Sequence, residues 1–151
     1  MIVIKKAKRE NIKDILKLIK GLAEYEKLSQ QVVATEAILE KEIFDEENAK
    51  VILAFEEQTV VGFALYFYNF STFKGRKGLY LEDLYVLPRY RNLGIGDSLF
   101  NYLIKEAKEQ KCGRMEWVCL NWNESAKDFY KRKNAKPLSD WIVYRLDESN
   151  F

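Results

Sequence analysis

A chain of 151 residues fits one domain of ordinary size and is long enough to bury a core. Its 48% apolar and 32% charged residues are those of a globular protein, and a net charge of +2 gives no electrostatic case for nucleic acid. Histidine is absent, which removes the commonest metal ligand and the commonest general base and leaves proton chemistry to Glu, Asp, Tyr, Lys, Cys or water.

The opening Met-Ile-Val-Ile runs straight into Lys5, Lys6, Lys8 and Arg9, too short an apolar run for a signal-peptide core or a membrane span. A cytoplasmic location with no membrane or nucleic-acid partner is therefore expected. Cys112 and Cys119 have neither metal-pair spacing nor a disulfide framework, so both read as free thiols and no metal is expected. No linker, repeat or low-complexity run divides the chain, which predicts a single domain over residues 1–151.

Ile2 to Lys6 reads as a short strand. From Asn11 to Tyr25, Ile12, Ile15, Ile19 and Leu22 recur at helical spacing, with Leu16 and Ala23 widening the stripe. A weaker helix is predicted over Thr35 to Phe44, with Glu36 in its first turn. The period then changes. Val51 to Phe55 and Val60 to Tyr68 are β-branched and aromatic, and Glu56-Glu57-Gln58 is the predicted hairpin connection. Lys74 to Gly78 reads as a turn, and Leu79 to Leu87 as the next strand, stopped by Pro88.

Gly94 and Gly96 lead into a helix predicted from Asp97 to Gln110, with Leu99, Phe100, Leu103, Ile104 and Ala107 on its stripe. Arg114 to Leu120 alternates as a strand, Asn123 is a good N-cap for a helix through Tyr130 and Lys131, and Trp141 to Leu146 reads as a final strand. The order β-α-α-β-β-β-α-β-α-β, hairpins followed by βαβ units, predicts a mixed α/β fold with helices on both faces of the sheet.

The stretch Leu79 to Gly96 is a strand, a short loop and a glycine-bearing turn that opens a helix. Such a turn exposes backbone N–H groups beside the positive end of the helix, and its glycines allow an anion to come close. Arg91 adds a fixed positive charge. There is no GxxxxGK[ST], and Leu99 stands where a dinucleotide fingerprint needs a third glycine.

Arg91-x-x-Gly94-x-Gly96 after a strand resembles the pyrophosphate loop of the GNAT acyltransferase superfamily. The likeness extends over nearly the whole chain: Leu22 to Ser29, Tyr80 to Asp83 with Val86, and Trp122-Asn123 with Phe129-Tyr130-Lys131 are similar to the diamine acetyltransferase branch, and Ser71 to Arg76 to its thialysine-type members. The resemblance implies a mainly antiparallel mixed sheet, acetyl-CoA as cosubstrate, a small-molecule amine as acceptor and a homodimer.

It also implies roles. Arg91, Asn92, Leu93, Gly94, Ile95 and Gly96 would bind the pyrophosphate, largely through backbone amides. Backbone at Leu84 and Val86 would meet the pantetheine arm, and Asn123 and Arg132 are further expected cofactor contacts. Glu82 would assist removal of the amine proton, directly or through water, and Tyr130 would protonate the departing thiolate. Tyr25, Glu26, Glu82 and Asp83 would line the amine site. Glu82 and Asp83 point to opposite faces of a regular strand, so both reach one site only across a bulge. Ser71-Thr72-Phe73 stands where the polyamine enzyme has an extra acid, which speaks against a long polycation. A protein lysine or another metabolite amine remains an alternative acceptor, and a non-catalytic acyl-CoA sensor an alternative role.

Overall fold

Ile2–Lys6 forms strand β1, and residues 9–11 make a single tight turn into helix α1, Ile12–Tyr25. These belong to a computed structural model that describes all 151 residues. Helix α2 spans Glu36–Glu40. Its cap is Thr35, whose Oγ1 accepts from the Ile38 amide at 3.2 Å, and the helix relaxes into a π-helical turn over Lys41–Asp45. Strands β2 (Lys50–Glu56), β3 (Thr59–Ser71) and β4 (Arg76–Val86) follow as a meander. Glu57, at φ 56°, turns the first hairpin and Gly75, at φ 69°, the second. Helix α3 (Ile95–Glu109) and β5 (Met115–Glu116) come next, then α4 (Glu124–Arg132).

The chain falls into two compact units, Met1–Val118 and Cys119–Phe151. The first holds a five-stranded sheet in the order β1-β2-β3-β4-β5, antiparallel except for the last pair. Ile15 and Leu18 of α1 pack with Ile43, Val51, Leu53, Phe63 and Tyr85 on one face. Leu18 belongs to the buried stripe, although the spacing alone singled out Ile12 and Ile19. Ile52, Ala54, Ala64 and Tyr66 alternate onto the other face. There Leu99 of α3 stands 3.5 Å from where a Cβ on Gly62 would lie.

Two predicted strands shrink or vanish. The strand expected over Arg114 to Leu120 is in the ladder only at Met115 and Glu116, facing Leu79 and Tyr80. The strand expected over Trp141 to Leu146 does not form. Those residues lie outside any strand ladder, with Trp141 78% and Tyr144 88% exposed. Alternation and β-branching describe a chain that suits a sheet, and a strand exists only where an edge receives it.

In the second unit Asn123 caps α4, its Oδ1 accepting from the Ala126 amide at 3.2 Å. The helix ends at Asn134 in the left-handed conformation, φ 63°. Asparagine tolerates that conformation, as glycine would.

Candidate active site

The register of β3 against β4 jumps once. Leu65 faces Asp83 and Tyr66 faces Leu81, so Glu82 has no partner on β3 and forms a β-bulge. Asp83 thereby joins Phe63, Leu65 and Tyr85 on the α1 face of the sheet, the face a regular strand would have denied it.

The bulge also reverses which way the β4 backbone points. Before it, Leu79 N donates to Arg114 O at 3.0 Å and Lys77 O accepts from Gly113 N at 2.9 Å, so odd-numbered residues face β5. After it, Leu87 N donates to Val61 O at 2.9 Å, so odd-numbered residues face β3. The polar groups of Leu84 and Val86 therefore turn to the side where β5 has already left the ladder. The strand end at Leu84 and Val86 is thus splayed from β5, with donors and acceptors that no strand pairs.

Three carboxylates gather beside the bulge. Burial pushes the Asp83 carboxyl up to about 7, reinforced by the charges of Glu82 and then Glu26. Glu26, just past the end of α1, is also raised, first by burial and then by Glu82. Tyr80 is raised by burial and then by Glu82 and Glu116. Glu82 is exposed, while Asp83 and Glu26 are half-buried. Their mutual repulsion makes a site that favours an incoming cation. Tyr25, at the end of α1, stands one residue before Glu26.

After β4, residues 88–90 make one tight turn. Asn92 at φ 62° and Gly94 at φ 80° then take left-handed conformations, and α3 begins at Ile95. Ile95 is buried, so only its backbone is available to a ligand, whereas Leu93 is 66% exposed. The amides of the first turn of α3 have no carbonyl one turn earlier within the helix. A Cβ on Gly94 would meet no atom within 4 Å, leaving open space beside those amides. This turn and the outward-facing end of β4 suit a long ligand that carries both phosphates and amides.

The Arg91 side chain, expected to lend charge to the loop, lies elsewhere. Its Nε donates to Val86 O at 3.0 Å, and its guanidinium carbon sits 4.9 Å from the Tyr25 ring centre and 5.3 Å from that of Tyr85. Sequence reading missed Tyr85. The available signal was Gly21, a glycine inside an apolar helical stripe, which marks a close approach.

In the second unit the Asn123 side chain is spent on the cap of α4. Arg132 lies 5.9 Å over the Phe129 ring, and the Tyr130 ring packs edge-on against Phe129 at 5.7 Å between centres.

A mixed sheet with a bulged, splayed strand running into a glycine turn and a helix defines the acetyltransferase class of fold. The family model described as the Acetyltransferase (GNAT) family matches residues 11–134, and the chain belongs to that family. The thialysine N-epsilon-acetyltransferase of Bos taurus is 37% identical over 158 residues, covering 97% of this chain and 92% of that protein. The spermidine/spermine N(1)-acetyltransferase-like protein 1 of Homo sapiens is 30% identical and covers 95% of this chain, which matches 22% of its length. An integron cassette protein from the mobile metagenome of V. cholerae has a TM-score of 0.82 at 28% identity, over 99% of this chain and 94% of that one. The chain is an N-acetyltransferase of the diamine acetyltransferase branch, whose family uses acetyl-CoA as cosubstrate. No helix is long and apolar enough to cross a membrane.

Proposed function

We propose that this N-acetyltransferase takes acetyl-CoA and passes the acetyl group directly to a primary amine of a small diamine, polyamine or thialysine/lysine-like acceptor. The whole chain would act as one catalytic domain in the cytoplasm and pair as a homodimer. The family match across residues 11–134 supports the single-domain reading.

The observation that carries the acceptor class is the bulge. It gathers Glu26, Glu82 and Asp83 beside the strand end that no neighbouring strand pairs. A cluster of like charges is favourable once an alkylammonium enters, and a second cationic group on the same small molecule adds to the attraction.

Acetyl-CoA brings an activated acyl thioester. The turn Arg91 to Gly96 would hold its pyrophosphate through backbone amides, and the outward N–H groups of Leu84 and Val86 would pair with the pantetheine arm and polarise the thioester carbonyl. Asn123 and Arg132 are the further cofactor contacts we assign. An alkylammonium with a pKa of about 10.4 must lose a proton before it attacks, a cost of roughly 4–5 kcal/mol at pH 7. Glu82 takes that proton, directly or through water, while Asp83, Glu26 and Tyr25 hold the amine. Tyr130 supplies a proton to the departing sulfur. A phenol near 10 can serve a thiol near 8.5 as a modest acid.

The test is release of free thiol from acetyl-CoA with thialysine, putrescine, spermidine, free lysine and lysine-containing peptides as acceptors. Turnover on thialysine, putrescine or spermidine at least about tenfold above lysine-containing peptides supports the reading. Turnover confined to peptides moves the acceptor to proteins, and coenzyme binding without turnover on any amine leaves a sensor. Glu82→Gln should lower kcat/KM for the preferred amine about 100-fold, with coenzyme affinity kept.

A further inference from the structure

The Arg91 guanidinium joins three segments of the first unit. Its Nε holds Val86 O at the outlet of β4. Its plane lies near Tyr25 at the end of α1 and near Tyr85 from β4. Tyr85 is itself pressed on α1 at Gly21, where a Cβ would come within 2.9 Å of its ring and hydroxyl. A guanidinium suits this position because it can lie against aromatic faces while its in-plane N–H groups make directed hydrogen bonds.

We propose that Arg91 is a positioning residue whose side chain ties the turn 92–96 to Tyr25 and Val86, so that the amide cradle for the coenzyme is set by an aromatic ring on the amine side. This rests on the pyrophosphate reading of the turn given above. Arg91 begins the turn, so anchoring its side chain fixes where the next residues start. The bond to Val86 O also occupies an acceptor on the open side of β4, which leaves the Val86 N–H as the group offered there. In the competing role, a charge reaching for a phosphate, the Tyr25 ring has no bearing on coenzyme affinity.

The experiment titrates coenzyme A by calorimetry into the full-length wild type and into Tyr25→Phe, Tyr25→Leu, Arg91→Lys and the Arg91→Lys/Tyr25→Leu pair. Tyr25→Phe keeps the ring and should stay within about twofold of wild type, whereas Tyr25→Leu and Arg91→Lys should each weaken coenzyme binding about tenfold. The double variant should lose little more than either single change, because both break one clamp. Coenzyme affinity unchanged in Tyr25→Leu, or losses that multiply in the pair, overturns the proposal. Should Tyr25→Leu melt too low to titrate, Tyr25→Gln removes the ring with the same expectations. If the wild type itself binds no coenzyme A, the pyrophosphate reading fails instead. The clamp is then read in melting temperatures, where non-additive losses support it and additive losses overturn it.

Discussion

Tyr85 lies across the missing side chain of Gly21, so close that a Cβ there would stand 2.9 Å from both its Cε2 and its hydroxyl oxygen. The ring has little freedom to move aside, being 8% exposed and lying close to Arg91. Alanine in a helix interior is worth up to about 1 kcal/mol over glycine, while overpacking costs about 1–3 kcal/mol. Gly21→Ala is therefore expected to destabilise the protein by about 1 kcal/mol, read as a lower urea midpoint at unchanged slope. An increase in stability would mean that the ring moves freely.

Gly94 tests backbone conformation without crowding. Its φ of 80° disfavours any Cβ, yet a Cβ there would touch nothing within 4 Å. Gly94→Ala should cost about 1–2 kcal/mol of stability from strain alone and weaken coenzyme binding as the turn shifts. Gly94→Asn should recover part of both, since asparagine enters the left-handed region more readily. Calorimetric titration beside thermal melting separates the two effects.

Asp83 sets a pH dependence whose sign follows from its raised carboxyl, about 7 against an ordinary 3.8. The folded chain holds a proton that the unfolded chain releases between those values. This contribution to stability is full below about pH 4 and is lost as pH rises through about 7. Asp83→Asn should remove that loss, gaining up to about 4 kcal/mol relative to wild type between pH 4 and pH 8. Denaturant midpoints at several pH values measure it. In catalysis the wild-type KM for the amine should fall as pH rises from about 6 to 8, as Asp83 gains its charge, and the asparagine variant should lack that limb. Glu82 and Glu26 are the acidic neighbours that raise Asp83, so Glu82→Gln should move the limb to lower pH.

Tyr130→Phe removes only a hydroxyl from a ring whose packing on Phe129 can persist. With Tyr130 as the acid, kcat should fall about 10–100-fold while coenzyme affinity stays as it was. Single-turnover rates measured beside titrations make the distinction. An undiminished kcat would assign the proton to water or another group.

Helices α1 and α3 could be read from the sequence because a buried face repeats with the helical period, whereas α4 is marked by local chemistry at its two ends, Asn123 and Asn134. The sheet was legible where strands follow one another through tight turns, as in the Glu57 hairpin. The bulge was not, because no local preference of Glu82 or Asp83 announces which residue a ladder will skip. Only the register against Leu65 and Tyr66 decides that. The turn that opens α3 could be placed by its glycines, but where Arg91 would send its side chain depended on Tyr25, far away in sequence. The expected last strand failed because Trp141 to Leu146 record a preference without naming a partner.

A strand end without a neighbouring strand, as β4 is at Leu84 and Val86, is a template on which a stray extended chain can polymerise. Glu82 sits just before that end as a charged, bulged interruption, a familiar natural guard against such growth. In the proposed mechanism, chemistry and colloidal safety thus share one side chain. Neutralising both carboxylates, Glu82→Gln with Asp83→Asn, should yield a protein that clouds on concentration, and more so when coenzyme is withheld.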